Sequence, residues 1–283
     1  MLDLIQDALL DTVKLLPFLY LTYLVMEYLE HHLEGHTDAV MKKAGRFGPL
    51  VGGLLGVVPQ CGFSTVAANL YAGRIITIGT LLAVFLSTSD EMLPIMISRQ
   101  VPAGLLVKFL VLKASIAVAA GFLIDAAYRR RGRTPSGSIG EICDHEHCHC
   151  EKSSPFMAAL RHTVSIGLFI LLINFLIALA LHLVGEDVLT KVLRSVPILS
   201  VVLSGVVGLI PNCAVSVAIT TLYLDGFLSF GAAMAGLLVG SGMGILVLLR
   251  INRSARDNMR IIILLLAIGI VCGAALDLFG IVL

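Results

Sequence analysis

Charge is scarce in this sequence. Asp, Glu, Lys and Arg make up 14% of its 283 residues, while 58% are apolar, and the mean hydropathy is +0.97. So little polar residue cannot clothe a soluble globule of this length, which leaves a chain that crosses a membrane several times. The formal charge is only +1, so nothing points to nucleic acid as a partner. No basic residue precedes Lys14, whereas Asp3, Asp7 and Asp11 do. A cleavable signal peptide opens with positive charge, so the first apolar run is expected to remain as the first span. No GxxxxGK[ST] motif occurs, and any energy must therefore come from an ion gradient or a partner. There is also no Cys-x-x-Cys. The six cysteines divide into Cys61, Cys213 and Cys272 in apolar segments and Cys143, Cys148 and Cys150 in one polar loop, which is no disulfide framework. A membrane thiol–disulfide enzyme would need a resolving thiol beside the first, so no enzymatic activity is expected.

What the chain does have is a motif written twice. Gly56-Val57-Val58-Pro59-Gln60-Cys61-Gly62-Phe63-Ser64 returns 152 residues later as Gly208-Leu209-Ile210-Pro211-Asn212-Cys213-Ala214-Val215-Ser216. Each copy lies in an apolar segment. A proline there removes a backbone donor and breaks the helix, and in hydrocarbon the freed groups must be met by protein or by a watery cavity. Two matched breaks in two halves are the sequence sign of a secondary-transporter site. Apolar segments cover 8–29, 47–71, 75–98 and 103–128, then 163–184, 196–223, 227–249 and 261–283. At the constant offset of 152, 11 of 39 positions from Gly53 to Glu91 are identical, among them Pro59, Cys61, Ser64, Tyr71, Gly79 and Ser89. Gly121 also pairs with Gly273 and Asp125 with Asp277. Residues 1–128 and 162–283 are read as two repeats, joined by a polar linker at 129–161.

Orientation follows from the basic residues. If every segment crossed fully, they would show no preference for a side. If the second segment of each half turns at its proline and leaves where it entered, 14 of the 20 Lys and Arg residues share one side and 6 the other. The majority side should be cytoplasmic. The expected fold is thus an all-α polytopic membrane protein of two inverted repeats, each with three full transmembrane helices and a broken or re-entrant hairpin of roughly 12-residue arms, about 18 Å each. Both termini would lie outside the cytoplasmic (inner) membrane. Homo-oligomerisation is left open.

Within 75–98, the run Ser87-Thr88-Ser89-Asp90-Glu91 comes after only 12 residues, so the two carboxylates are expected near mid-membrane. An ionisable group there costs about 2.5–3.5 kcal/mol on insertion scales and marks a functional site by default; a structural ion pair with Lys113 is the plainer reading. The second half has Gly240-Ser241-Gly242-Met243-Gly244 instead, keeping the serine and losing the acids, so backbone carbonyls would be offered there. The candidate substrate-binding set is Gln60, Cys61, Ser64, Ser89, Asp90, Glu91, Asn212, Cys213, Ser216 and Ser241. Oxygen-rich ligands suit Mn²⁺ or Mg²⁺, and sulfur suits Zn²⁺, Cu⁺ or a thiophilic metalloid. The plainer reading makes the cysteines fillers and the amides helix caps. In the linker, Cys143, His145, His147, Cys148, His149 and Cys150 alternate with Asp144, Glu146 and Glu151. Such a tract is a compositional metal-binding signal without ordered zinc spacing, read as a flexible collector. His31, His32, Glu34, His36 and Asp38 form a second cluster, which would also suit a solvated interface. Asp125 and Asp277 are expected to hydrogen-bond between helices.

These residues together resemble the family of ten-helix heavy-metal exporters, whose members are described as manganese transporters or arsenic efflux proteins. The resemblance spans nearly the whole length and rests on Pro59-Gln60-Cys61-Gly62, Pro211-Asn212-Cys213, residues 87–91 and the Cys/His loop. Ten helices agree with the count if each broken segment supplies two. The resemblance implies export of a metal or metalloid from the cytoplasm; the second motif departs from the first at Asn212 and Ala214. The sequence reading is therefore a secondary exporter of a divalent metal, Mn²⁺ first, with efflux of arsenite as the alternative and a metal-sensing membrane scaffold as another. No cofactor is expected, since the metal is cargo.

Overall fold

The computed structural model describes residues 37–58, 61–89, 92–130, 155–184, 197–252 and 254–280, together with residues 9, 12, 13, 16, 17, 20, 21 and 24. All of its regular structure among these is helical. The helices are α1 (Thr37–Gly56), α2 (Cys61–Ala72), α3 (Ile78–Ser87), α4 (Met92–Ser98) and α5 (Ala103–Arg130), then α6 (Pro155–Val184), α7 (Pro197–Gly208), α8 (Cys213–Leu224), α9 (Phe230–Val239), α10 (Gly244–Ile251) and α11 (Ala255–Leu278). Four stretches are long and apolar enough to cross a membrane: Ile78–Ser98, Ala103–Arg129, Phe230–Ile251 and Ala255–Leu278. The first and third of these are largely buried, the second and fourth largely exposed. The chain is a multi-pass membrane protein whose broken helices form the core, while α5 and α11 turn outward apolar residues such as Leu123 and Val271, as lipid-facing helices do.

Local chemistry accounts for the boundaries. Thr77 caps α3 by accepting from the Thr80 amide, and Ser229 caps α9 by accepting from the Ala232 amide. Ser254 does the same for α11 through the Asp257 amide. Each side-chain oxygen satisfies a first-turn N–H that the helix leaves unbonded. The arms after the breaks, α2 and α8, have 12 residues each, as does α7. At α1 the expected short arm is corrected: it has 20 residues, with Pro49 inside. Its polar first half, from Thr37 to Arg46, contains no residue that stops a helix, so the helix begins before the apolar run.

The packing repeats with the sequence. α1, α3 and α5 pack mutually, and so do α7, α9 and α11. Along α1 the glycines mark its contact with α3: Gly48 lies against Thr80, Gly52 against Val84 and Gly56 against Ser87. In the second half Gly236 lies against Ser204 and Gly208 against Gly236. The tightest crossings are α3 on α5 and α9 on α11, where Gly79 faces the Gly121 carbonyl and Gly231 the Gly273 carbonyl. A side chain at either position would meet backbone; small residues here let helices approach as they do in membranes.

One carboxylate locks each crossing. Asp125 accepts from the Gly79 amide at 2.9 Å and from the Thr77 hydroxyl at 2.7 Å. Asp277 accepts from the Gly231 amide and the Ser229 hydroxyl, both at 2.7 Å. The sequence expectation of helix–helix hydrogen bonding at both aspartates is met with the same partners in both halves. Each carboxyl group lies at the N-terminus of a buried helix, where its oxygen takes up a first-turn amide that the helix leaves unbonded.

The second arms are exchanged between halves. α2 packs on α10, and α8 packs on α4. Polar contacts seal both pairs at their far ends. Tyr71 donates to Asp257 at 2.7 Å, with Arg74 3.7 Å from the same carboxylate. Asn252 donates to Asp257 and Asn258, and Asn258 donates back to the Asn252 carbonyl. At the other pair, Arg99 donates to Asp225 at 3.3 Å.

Candidate functional site

Two helix interruptions, one beginning at Thr88 and Ser89 after α3 and one at residues 240–243 between α9 and α10, lie inside the two buried candidate spans. The sequence reading took the segment at 75–98 as one full crossing with its carboxylates near mid-membrane and put the breaks at the prolines; the helix instead also ends at Ser87, inside the apolar run. The causes differ between the two interruptions. At the first break Ser87, Thr88 and Ser89 turn their hydroxyls onto nearby carbonyls: Ser87 and Thr88 donate to Val84, and Ser89 to Ser87. Such back-bonding competes with the helical ladder. At the second, Gly240 and Gly242 supply the irregular backbone, with Gly242 at φ +57°, a conformation that glycine adopts without steric cost.

The hydroxyls of the candidate set lie at or beside one or the other interruption. Ser87, Thr88 and Ser89 are buried, as are Ser64 and Ser241. Ser64 of α2 lies so close to Gly244 that a Cβ on the glycine would be 2.7 Å from the Ser64 Cβ and 2.8 Å from its carbonyl oxygen. Ser216 of α8 lies by Gly240, its hydroxyl 3.6 Å from where a Cβ would be. The second interruption is thus flanked by Ser64 from the first repeat and Ser216 from the second. Van der Waals approach of backbones at Gly244 explains why no side chain is present there, since a Cβ would have nowhere to go.

One residue joins the first interruption that the sequence reading had treated only as an ion-pair partner. Lys113 of α5 is 1% exposed, and its ammonium donates to the Thr88 carbonyl. The helix ladder ends at Thr88, so its carbonyl is available for such a bond. The signal in the sequence was there: a lysine ten residues into a mostly apolar segment, beyond the Lys108 of its first turns.

Other candidates have plainer placements. The Asn212 side chain caps α8, its carbonyl oxygen accepting from the Ala214 amide at 2.8 Å. Cys213 begins α8 as a free, half-buried thiol, and Cys272 on α11 is likewise free. Cys61 is placed as the first residue of α2 by its backbone alone. Gln60, Asp90 and Glu91 lie outside the described residues, as do Pro59, the loop from Cys143 through His145, His147, Cys148 and His149 to Cys150, and His31, His32, Glu34 and His36. Among the described residues, no group of three or more His, Cys, Asp or Glu side chains could hold a metal. What the described site offers a cation is hydroxyl and carbonyl oxygen.

Comparison with known proteins bears on this arrangement. No curated protein and no solved structure matches the chain. Residues 1–188, which take in the first repeat, its interruption, the Cys/His loop and α6, match the model of a family described as "Putative, 10TM heavy-metal exporter". The match covers well over half of the chain and agrees with the resemblance carried by the proline motifs. The chain belongs to this family of ten-transmembrane heavy-metal exporters.

Proposed function

We propose that the protein exports a divalent metal ion, Mn²⁺ first, by alternating access at a site between the two helix interruptions. The observation that carries this reading is the pair of interruptions inside buried spans, one of them continuing into Asp90 and Glu91. Irregular backbone at membrane depth exposes carbonyls that can replace a cation's water, and it persists only where protein or a cavity satisfies it. Ser64, Ser89, Ser216 and Ser241 add hydroxyl oxygens, and Gln60 an amide. Two carboxylates balance the charge of a divalent ion. Oxygen donors favour Mn²⁺ over softer ions. The loop at Cys143, His145, His147, Cys148, His149 and Cys150 would gather metal on the cytoplasmic side.

The proposal includes opposed repeats of three spans and one re-entrant hairpin. The ends of helices support it. Gly48 of α1 lies by Thr80 near the start of α3, and α2 ends at Ala72, six residues before α3 begins, which supports a first hairpin that returns to the end it left. Asp257, just after α10, meets Tyr71 and Arg74, just before α3. Arg99, just after α4, meets Asp225, just before α9. The end of each broken helix is thus tied to the start of the other, as antiparallel repeats require. With the basic majority inside, both termini lie outside the cytoplasmic membrane; a C-terminal tag reachable from the cytoplasm would overturn that orientation.

The test is metal analysis of cells expressing the chain, across Mn, Fe, Zn, Co and arsenite. Asp90→Asn should slow Mn²⁺ efflux about tenfold or more, the rate effect of roughly 1.4 kcal/mol, with protein level in the membrane unchanged. Equal Mn²⁺ content with and without the protein would sink the reading. A second reading, efflux of a thiophilic ion, is favoured by the free thiol of Cys213 at the start of α8. Replacing Cys61 and Cys213 by serine separates the two. Manganese tolerance survives that change if oxygen ligands dominate, and arsenite resistance is lost if sulfur does.

A further inference from the structure

The two halves also differ where their last two helices meet the membrane surface. A groove of about 320 Å³ lies between the end of α10 and the start of α11. Arg250, Asn252 and Asn258 form its polar wall, and Leu249, Met259 and Ile262 its apolar one. The span Phe230–Ile251 ends here and the span Ala255–Leu278 begins. A turn between two spans is at the level of lipid headgroups. Leu249 and Met259 are exposed beside the polar wall, so the groove straddles the boundary between headgroup and acyl chain.

Positive charge dominates the groove and is unmatched. Arg250 is exposed, its guanidinium over the Phe169 ring at 5.1 Å from the centre. Arg256, also exposed, comes one residue after Ala255 and three before Met259 on α11, a spacing that puts it on the rim of the groove. Neither makes an ion pair among the described residues. The acid of this turn, Asp257, is already held by Tyr71, Arg74 and Asn252. Buried Asn258 gives one amide hydrogen to the Asn252 carbonyl and has a second to give.

The repeat supplies a control. At the offset of 152, Arg250 corresponds to Ser98, Arg256 to Gly104 and Asn258 to Leu106. Arg99 at that end is bonded to Asp225, and Arg260, further along α11, keeps a basic counterpart in Lys108. With the repeats opposed as proposed above, the two equivalent turns are at opposite membrane surfaces, and Arg250 and Arg256 are at one of them alone. A requirement of the frame would recur in both halves. A ligand of one leaflet would not, and the cytoplasmic leaflet is the one with a negative surface potential.

We propose that the groove is a binding site for an anionic phospholipid: Arg250, Arg256 and the Asn258 amide take the headgroup phosphate, while Leu249, Met259 and Ile262 line the acyl chains. Guanidinium suits this role because it meets phosphate through paired N–H bonds. A zwitterionic headgroup brings its own ammonium, which the two arginines repel. Free phosphate meets the same arginines but has nothing for the apolar wall. The site goes beyond the export reading and requires no metal. Bound lipid braces the α10–α11 turn, which through Asp257 ties the second half to the first, and so it stabilises the folded protein by mass action.

The experiment uses the full-length protein in detergent, with native mass spectrometry counting the lipid retained as phosphatidylglycerol or phosphatidylcholine is added. Phosphatidylglycerol should be retained at about tenfold lower concentration than phosphatidylcholine, and it should raise the unfolding midpoint. Arg256→Gln should weaken phosphatidylglycerol retention about fivefold, and Arg250→Gln with Arg256→Gln about 25-fold, with phosphatidylcholine unchanged. Arg250→Lys keeps the charge and should stay within about threefold of the unaltered protein. Lys108→Gln, at the opposite end, should change nothing. Equal retention of the two lipids by the unaltered protein overturns the proposal, and so does either glutamine variant that, still folded, holds phosphatidylglycerol as tightly as its parent. Glycerol 3-phosphate that displaces phosphatidylglycerol at equal concentration also overturns it, by making the site one for free phosphate. No metal enters the measurement, so its outcome is separate from that of the export test.

Discussion

The two halves of this protein share a frame and differ in what the frame holds. Asp125 and Asp277 make the same pair of hydrogen bonds to the start of α3 and α9, on helices that cross at equivalent glycines. At the interruptions the likeness ends. The first is built from hydroxyl-bearing residues, followed by two acids and approached by Lys113; the second is built from glycines, flanked by Ser64 and Ser216, and has Leu265 at the position equivalent to the lysine. The difference between halves separates residues of the frame, which occur twice, from those that the export proposal assigns to the cargo, which occur once.

Substituting one half's solution into the other tests that division. The largest effect is expected from Leu265→Lys, which puts an ammonium in the interior of the second half with no acid to meet it. It should cost about 2.5–3.5 kcal/mol, seen as a marked fall in the unfolding midpoint in detergent. Adding Gly242→Asp to it should recover part of the loss; a Leu265→Lys protein as stable as the parent would mean that the lysine position is not specific to the charged half. Next come Asp125→Ala and Asp277→Ala. Each leaves an amide and a hydroxyl unpaired at a buried helix start and should cost about 2–3 kcal/mol. The two losses should agree to within about 1 kcal/mol if the frame is a repeated one, and a large inequality would break the comparison.

The smallest effect concerns the turn after the second arm. Arg74 and Gly226 are equivalent and both have positive φ, +58° and +76°. Glycine adopts that conformation readily, whereas arginine pays about 1–2 kcal/mol for it. Arg74 recovers something from Asp257 at 3.7 Å and from lying 5.6 Å over the Tyr71 ring, each worth up to about 1 kcal/mol at a partly exposed site. Arg74→Gly should therefore change stability by less than about 1 kcal/mol. A large loss would show that the Tyr71–Asp257 seal depends on the arginine.

Much of the site is legible in the amino-acid sequence because helix breaks are local events. Proline and paired glycines interrupt a helix through their own backbone, so the break at Pro211 and the irregular backbone at 240–244 can be read directly, whereas the end of α3 at Ser87 depends on hydroxyls that turn back onto Val84 and Ser87 and was not read from sequence. Equivalence of Asp125 and Asp277 follows from the repeat. Asn212 went to its plainer role, since an amide beside a helix start finds the nearest free N–H before any distant ligand. The length of α1 is misjudged from sequence for a related reason: the hydropathy pattern marks where lipid begins, and a helix with no breaker can begin in water.

By itself, the sequence determined that this chain lives in a membrane and that its two halves repeat one pattern, because hydropathy and repeat identity are written residue by residue. Only the tertiary structure decided that the second arm of each half packs on the other half, α2 on α10 and α8 on α4, and that Lys113 reaches Thr88. Those contacts join residues from 25 to 186 positions apart. No local preference encodes them; they follow from which apolar faces and which unpaired polar groups remain once each helix has formed.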